Sequence, residues 1–129
     1  MNEKQEMLND TRVETKQFVL AEHLNHMGNM HGGEILKLMD NTAGLAFIRY
    51  AQGDAVTAGI KEVKFIKPIP YKSIIKCTAE IVRIGRSSME IQVEVFIENI
   101  KEKKMIKATE GTFIAVAIDE EGKPRAVNK

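Results

Sequence analysis

Residues 34–50, with the sequence EILKLMDNTAGLAFIRY, decide the fold because they form the longest segment with helical periodicity. At about 100° per residue, seven apolar side chains fill one wide arc of the predicted helix. Leu38, Leu45 and Ile48 interrupt the polar side, so we expect the helix to be buried over most of its girth. The apolar arc consists of Ile35, Leu36, Met39, Ala43, Ala46, Phe47 and Tyr50.

The rest of the chain is predicted to be mostly β-strand. Residues 11–20 alternate weakly, and nearly everything after Gly53 has strand character. A change of parity in the first of these later strands predicts a β-bulge near Lys61 and Glu62. Short, hairpin-like connections favour an antiparallel sheet, and one buried helix beside such a sheet indicates an α+β fold in which the sheet wraps around the helix. The four later strands are predicted at residues 55–65, 74–84, 87–98 and 105–118.

Composition limits the classes of function. The chain has 129 residues, which fits a single domain over residues 1–129, with residues 1–10 expected to be frayed. A net charge of +1 gives no basic excess for non-specific nucleic-acid binding. No apolar run approaches the roughly twenty residues needed to span a bilayer, and the N-terminal sequence MNEKQEMLND has no signal-peptide core. We therefore expect a cytoplasmic protein with no nucleic-acid or membrane partner.

Common catalytic signatures are absent from the sequence. It contains no G-x-S-x-G, G-x4-G-K-[ST], G-x-G-x-x-G or H-E-x-x-H motif, so serine hydrolases, nucleoside triphosphatases, dinucleotide enzymes and zincins are not favoured. The single cysteine, Cys77, alternates with apolar residues and is predicted to lie in the core. One cysteine cannot form an internal disulfide or a cysteine-based metal cluster.

Residues 21–33, with the sequence AEHLNHMGNMHGG, are predicted to form a long loop, and long loops in small domains often carry function. The spacing of His23, His26 and His31 could hold zinc together with a carboxylate. Because no cysteine supports such a cluster, we favour hydrogen-bonding roles for the histidines and no metal. Asn25 in this loop is typical of a turn.

Polar groups near the helix start suggest a site. Gly32 and Gly33 would let a ligand approach the unpaired N–H groups there, which favour an anion or a carbonyl oxygen that gains negative charge, although a tight turn explains the two glycines equally well. Asp40 lies two turns into the helix at the edge of the apolar arc. It is either a solvated edge residue or a carboxylate at a site entrance.

A second polar segment, Gly85-Arg86-Ser87-Ser88, links two predicted strands. As a hairpin turn it is ordinary. As a ligand loop it offers a guanidinium and two hydroxyls suited to phosphate.

Together these segments resemble the acyl-CoA thioesterase branch of the hotdog-fold superfamily. The pattern H-G-G-x-x-L/I-x-x-x-M-D, preceded by N-x-x-G, occurs from Asn25 to Asp40. The segments VTAGIKEVKF at 56–65, GRSSME at 85–90 and ATEGTFIAVAIDEEGKP at 108–124 follow in the order typical of that family. The resemblance covers residues 12–125 and implies a long antiparallel sheet wrapped around one central helix, in agreement with the fold predicted above.

The resemblance also implies roles for individual residues. Asp40 matches the catalytic carboxylate, and Asn25 matches an asparagine that faces this carboxylate across a subunit interface. The amide of Gly32 or Gly33 matches the group that polarises the thioester carbonyl, and His31 matches the histidine of the H-G-G motif. Positions implied to contact the substrate or its coenzyme A portion are Lys64, Phe65, Arg86, Ser87 and Ser88.

The implied activity is hydrolysis of acyl-CoA to free fatty acid and coenzyme A, with no cofactor. Asp40 either attacks the carbonyl or activates water. Two other functions stay open: an acyl-CoA-binding sensor without turnover, and a thioesterase for acyl groups on a carrier protein.

The small size of the chain bears on assembly. One helix and one sheet leave little room for a private pocket, and the candidate groups lie on different elements. We therefore expect the site to form between subunits, with a dimer as the smallest active unit. The resemblance implies a trimer of such dimers, which is a hexamer.

Overall fold

The computed structural model describes residues 11–127, in which five antiparallel strands form one sheet beside one long helix, α1. This arrangement confirms the predicted α+β hotdog architecture. The expected frayed segment, residues 1–10, lies outside the described residues. A short 3₁₀ turn, Ala21–His23, lies in the predicted loop. The elements are β1 (Val13–Phe18), α1 (Gly32–Ala51), β2 (Ala55–Phe65), β3 (Ile74–Ile84), β4 (Ser88–Asn99) and β5 (Lys104–Ala117).

The strand order is β1-β3-β4-β5-β2. Hairpins join β3 to β4 and β4 to β5, as expected. The expectation of a hairpin between β2 and β3 is wrong, because β2 pairs with β5 at the far edge of the sheet. The connection, residues 66–73, contains Pro68 and Pro70, which cannot donate to a strand ladder. Its Ile69 is buried, and the Ile69 carbonyl accepts a hydrogen bond from the Met30 amide at 2.7 Å. The connection therefore packs against the loop that leads into α1.

The core lies between α1 and one face of the sheet. Met39 on the helix and Phe113 on β5 are fully buried there. In strand β4, Met89, Ile91, Val93 and Val95 are buried and the residues between them are partly exposed, as expected for a strand with one face on the core. Each large apolar side chain buried in this way contributes roughly 1.5–3 kcal/mol to stability.

The helix is less buried in one chain than expected. Leu38 lies in the core at 8% exposure, but Leu45 and Ile48 are each 48% exposed. Leu45 and Ile48 therefore mark a surface that the isolated chain leaves uncovered. No helix within residues 11–127 combines the length and the apolar character needed to cross a membrane.

Strand β2 is an edge strand, hydrogen-bonded to β5 on one side only within the described part of the chain. Its register shifts twice, and the shift between Ile60 and Glu62 confirms the predicted bulge. Val56 and Ile60 are 47% and 46% exposed. A long edge strand with exposed apolar side chains is a natural place for pairing with another chain.

Cys77 is fully buried, as predicted. Burial raises the pKa of its thiol to about 11, and a hydrogen bond with Thr42 opposes this shift. The thiol is therefore protonated at neutral pH and takes no part in the site described below.

Candidate active site

The start of α1 has one backbone amide with no partner. His31 is the N-cap residue, and its Nδ1 accepts a hydrogen bond from the Gly33 amide at 2.9 Å. The amides of Glu34 and Ile35 donate to the His31 carbonyl. Among residues 11–127 the Gly32 amide has no acceptor. Of the two glycines singled out in the sequence, Gly32 is thus the one whose N–H is available to a ligand.

Phe65 and Lys64, both expected near the substrate, lie on opposite faces of β2. A Cβ at Gly32 would lie 3.8 Å from the Phe65 ring, so this half-exposed ring borders the helix start. Successive strand residues point to opposite faces. Lys64 accordingly lines a shallow cleft of about 110 Å³ with Glu110 on the outer face of the sheet. The pKa of Glu110 is lowered mainly by its hydrogen bond with Lys107, with a smaller contribution from the charge of Lys64. The structure therefore brings Phe65, and not Lys64, to Gly32.

Asp40 is exposed on α1, and Thr57 holds it. The Thr57 hydroxyl donates to Asp40 Oδ1 at 2.5 Å across the gap between α1 and β2. One carboxylate oxygen is thereby fixed, and the other has no hydrogen bond within the described residues. The pair borders a cleft of about 470 Å³ whose lining is otherwise mostly apolar. The remaining lining residues are Asn41, Gly44, Leu45, Phe47, Ile48, Arg49, Ala55 and Val56.

Thr57 is not among the candidate residues that the sequence suggests. The contact joins residues seventeen positions apart on two different elements, so no local motif predicts it. Strand alternation places Thr57 on the face opposite to Val56, but it does not show which face meets the helix. The structure shows this, since Val56 is 47% exposed and Thr57 donates to Asp40 on α1.

Asn25 is held rigidly inside its loop. Its Oδ1 accepts hydrogen bonds from the amides of Met27 at 2.8 Å and Asn29 at 3.1 Å. The loop closes at Gly28, which has a φ of 85°, a value that favours glycine. Because the side-chain oxygen is occupied, the group that Asn25 can offer to a ligand is its Nδ2, which can only donate. Asn25 is thus suited to bind a carbonyl oxygen rather than to accept a proton from water.

Asp40 and Gly32 of one chain are far apart. Asp40 lies eight positions after Gly32 on α1, which corresponds to about 12 Å along the helix axis. Asn25 does not line the cleft at Asp40. One thioester carbonyl cannot touch both the Gly32 amide and the Asp40 carboxylate of the same chain. The structure of one chain therefore keeps the Gly32 amide apart from the Asp40–Thr57 pair, and Asn25 lies outside the cleft that this pair borders.

The turn that carries Arg86, Ser87 and Ser88 lies at the opposite end of the molecule. The Ser87 carbonyl accepts a hydrogen bond from the amide of Ala117, the last residue of β5, which pairs with the first residue of β2. That end adjoins the C-terminus of α1, about 30 Å along the helix from Gly32. The structure of one chain therefore does not bring this turn to the helix start.

Two of the three loop histidines have side-chain hydrogen bonds within the described residues. His23 Nδ1 accepts from the Leu20 amide at 2.9 Å, and His31 caps the helix. His26 is exposed. Across residues 11–127, no three or more His, Cys, Asp or Glu side chains are grouped so that they could hold a metal ion.

Comparison with a family model gives a match over residues 27–104, and the model describes the thioesterase superfamily. Among curated proteins, an uncharacterized acyl-CoA thioester hydrolase of Buchnera aphidicola subsp. Schizaphis graminum is 34% identical over 125 residues, which cover 95% of this chain and 93% of that protein. These matches span the loop, the helix and most of the sheet.

Solved structures show the same similarity in three dimensions. An acyl-CoA hydrolase from Staphylococcus aureus, in complex with butyryl coenzyme A, coenzyme A and coenzyme A disulfide, superposes with a TM-score of 0.89 at 29% identity. The match covers 92% of this chain and 73% of that one. Alanine variants of that hydrolase at an aspartate, an asparagine and a threonine are similar as well. The hexameric thioesterase y2039 from Yersinia pestis superposes with a TM-score of 0.81 at 29% identity, covering 87% and 91% of the two chains.

Proposed function

The chain belongs to the thioesterase superfamily, and we propose that it hydrolyses acyl-CoA thioesters to free fatty acid and coenzyme A. One observation carries the proposal: an exposed carboxylate, Asp40, is fixed by Thr57 at the edge of an apolar cleft. A carboxylate held at one oxygen keeps the other oxygen for chemistry. The similarity to acyl-CoA hydrolases supports the choice of substrate class.

In the proposed reaction, the Gly32 amide and the Nδ2 group of Asn25 donate to the thioester oxygen as it gains negative charge. One such donor contributes roughly 2.7–4 kcal/mol to transition-state stabilisation. The free oxygen of Asp40 either attacks the carbonyl carbon or removes a proton from the attacking water. The carbon–sulfur bond then breaks and coenzyme A leaves as a thiolate, which is a good leaving group because a free thiol has a pKa of about 8.5.

The reaction needs no cofactor, since water, a carboxylate and two N–H donors suffice and coenzyme A is part of the substrate. The proposed location is the cytoplasm. Single turnover in water labelled with heavy oxygen separates the two routes for Asp40. Attack by the carboxylate gives an anhydride between Asp40 and the acyl group, and water that opens it at the Asp40 carbonyl releases unlabelled acid in the first turnover. Direct attack by activated water gives labelled acid.

Purified Asp40→Ala tests the activity against a panel of acyl-CoAs. We expect kcat/KM to fall by roughly 10²–10⁴-fold, as for removal of a base or nucleophile. Asp54→Ala is the matched control, because the Asp54 side chain is exposed, forms no hydrogen bond in the described structure and lies outside the Asp40 cleft. Wild-type kcat/KM in Asp40→Ala refutes the role of Asp40. Tight acyl-CoA binding without hydrolysis by the wild type indicates a sensor instead.

We further propose that each site is shared between two chains, with Asn25 and Gly32 from one and Asp40 with Thr57 from the other. The separation of about 12 Å between Gly32 and Asp40 within one chain supports this arrangement. The unpaired edge of β2 and the exposed Leu45 and Ile48 supply an apolar surface for the contact. Such a dimer uses the same surface on both chains.

Mixing two inactive variants tests the shared site. In dimers refolded from equal amounts of Asn25→Ala and Asp40→Ala, half are mixed, and one of the two sites in each mixed dimer is intact. We expect about a quarter of the wild-type activity. Each variant refolded alone is the control. No recovery in the mixture means that both residues act within one chain.

The resemblance implies that the Arg86 turn lies near coenzyme A. Because this turn lies about 30 Å along α1 from Gly32, we propose that it binds the phosphate groups of coenzyme A held at a neighbouring subunit's site in a trimer of dimers. The similarity to a hexameric thioesterase supports this assembly. Sedimentation checks the size, and an active species no larger than a dimer contradicts it.

A further inference from the structure

The last described residues, 124–127, hold the turn that carries Arg86, and we call this segment the C-terminal clamp. The Val127 amide donates to the Arg86 carbonyl at 2.8 Å, and the Val127 side chain is buried. On the other side of the turn, the Ala117 amide donates to the Ser87 carbonyl at 2.8 Å, and the Ala117 carbonyl accepts from the Arg125 amide at 2.9 Å. The turn is therefore fixed between the end of β5 and the clamp.

The Arg125 side chain ties the clamp to the end of α1. Its Nη2 donates to the carbonyl of Ala51, the last helical residue, at 3.1 Å, and its Nε donates to the Ile118 carbonyl at 3.0 Å. Carbonyls at a helix C-terminus lack helical partners and favour a cation. The neighbouring Gly53 leaves the space for this contact, because a Cβ there would lie 2.9 Å from Nη2. Arg125 thus connects the helix, β5 and the turn.

A cleft of about 140 Å³ lies between the turn and the clamp. Both Arg86 and Arg125 line it, together with Ser87. Within residues 11–127 neither arginine forms an ion pair with a carboxylate. The cleft therefore has a positive charge that is free to attract a phosphate group.

We propose that Arg125 is a positioning residue that orients Arg86 and Ser87 for the phosphate-bearing part of coenzyme A. This inference rests on the proposed function and adds the clamp to it. The Arg125 side chain fixes the clamp to the end of α1, and the clamp holds the Arg86 backbone through the Val127 amide, so loss of the Arg125 contacts lets the clamp and the turn move. A substrate that contains the nucleotide depends on the turn, whereas an acyl-pantetheine without phosphate does not.

The test compares these two substrates in the full-length protein. In Arg125→Met, which keeps the apolar stem and removes every donor, we expect the KM for acyl-CoA to rise about tenfold with kcat little changed. A tenfold rise in KM is the change expected when substrate binding loses one hydrogen bond to a charged group. For acyl-pantetheine, kcat/KM stays within about twofold of the wild type. A parallel loss on both substrates shows a merely structural role, and unchanged kinetics on both shows no role; either result overturns the proposal.

Two further variants sharpen the comparison. Gly53→Ala crowds the Arg125 guanidinium without changing any residue of the turn or the clamp, so it should raise the acyl-CoA KM selectively. Arg12→Met is the matched control, because Arg12 forms only an exposed ion pair with Glu80 at 3.7 Å on the β1 edge. A selective effect in Arg12→Met, or none in folded Gly53→Ala, contradicts the inference.

Calorimetric binding of coenzyme A separates this inference from the proposed function. If the wild type binds coenzyme A without hydrolysing acyl-CoA, the proposed function fails and the clamp can still be tested. A Kd about tenfold weaker in Arg125→Met supports the clamp. An equal Kd in both proteins overturns it whatever the hydrolysis assay shows.

Discussion

Replacement of Gly32 by proline removes one N–H group and leaves the rest of the helix start nearly intact. Gly32 is the first residue of α1, the position at which proline is favoured because its amide has no helical partner. His31 has φ −63° and ψ 137°, the extended conformation that a residue before proline adopts. The φ of Gly32 is not positive, and a Cβ there would meet Phe65 at an ordinary 3.8 Å. The fold should therefore accept Gly32→Pro.

The magnitude follows from these contacts. No hydrogen bond within the described chain is lost, and restricting the unfolded chain by proline can add about 0.4–1 kcal/mol of stability. If the Gly32 amide binds the thioester oxygen, its loss costs about 2.7–4 kcal/mol in the transition state, or roughly 10²–10³ in kcat. Stability and activity thus change in opposite directions.

Steady-state hydrolysis of acyl-CoA and thermal unfolding are measured on the same preparations. Gly32→Ala is the control, because it adds a Cβ at the same position and keeps the N–H. We expect near wild-type kcat in Gly32→Ala and a loss of at least about a hundredfold in Gly32→Pro. A folded Gly32→Pro with wild-type kcat would refute the assignment of this amide to the thioester oxygen.

Three further perturbations test separate parts of the structure. Asn25→Asp keeps an oxygen for the amides of Met27 and Asn29 but removes the Nδ2 donor, so kcat should fall at least about tenfold with an unchanged Tm, and an unchanged kcat contradicts the donor role. Thr109→Val removes a buried hydroxyl that has no hydrogen-bond partner among the described residues, so the free energy of unfolding in urea should rise by about 1 kcal/mol, and a decrease contradicts this. Since burial raises the pKa of Cys77 to about 11 from 9.0, a thiol reagent at pH 8 should label it only after unfolding. Because the Cys77 thiol loses its proton at a lower pH in the unfolded chain than in the folded one, the free energy of unfolding should fall as the pH rises from about 9 to 11.

Local patterns predicted the elements well. Strands β2 and β3 have the predicted bounds, residues 55–65 and 74–84, because alternation and flanking turn residues mark both ends. The helix begins two residues earlier than predicted, at Gly32, because His31 supplies the cap through its side chain. Histidine is not among the preferred capping residues, so no ordinary cap signal marks this position.

Long-range relations were harder to predict. Periodicity could not show that β2 pairs with β5, since strand order depends on the whole sheet. From periodicity, Leu38, Leu45 and Ile48 were all expected to be buried. Within the chain, only Leu38 of these three is buried. At the site, the resemblance implied a catalytic role for Asp40, which stays a prediction, whereas the Thr57 contact and the use of the Gly33 amide by His31 required three-dimensional geometry.

If the proposed shared site is right, the open side of β2 makes the Asp40 carboxylate depend on assembly. Thr57, which holds Asp40, lies on a strand that is hydrogen-bonded along one side only within residues 11–127. A dilute chain could keep its core and its circular dichroism while the strand under its reactive carboxylate stays unsupported. Specific activity would then fall with protein concentration below the dissociation constant of the assembly. In a cell, the rate per chain would follow the expression level without any bound effector.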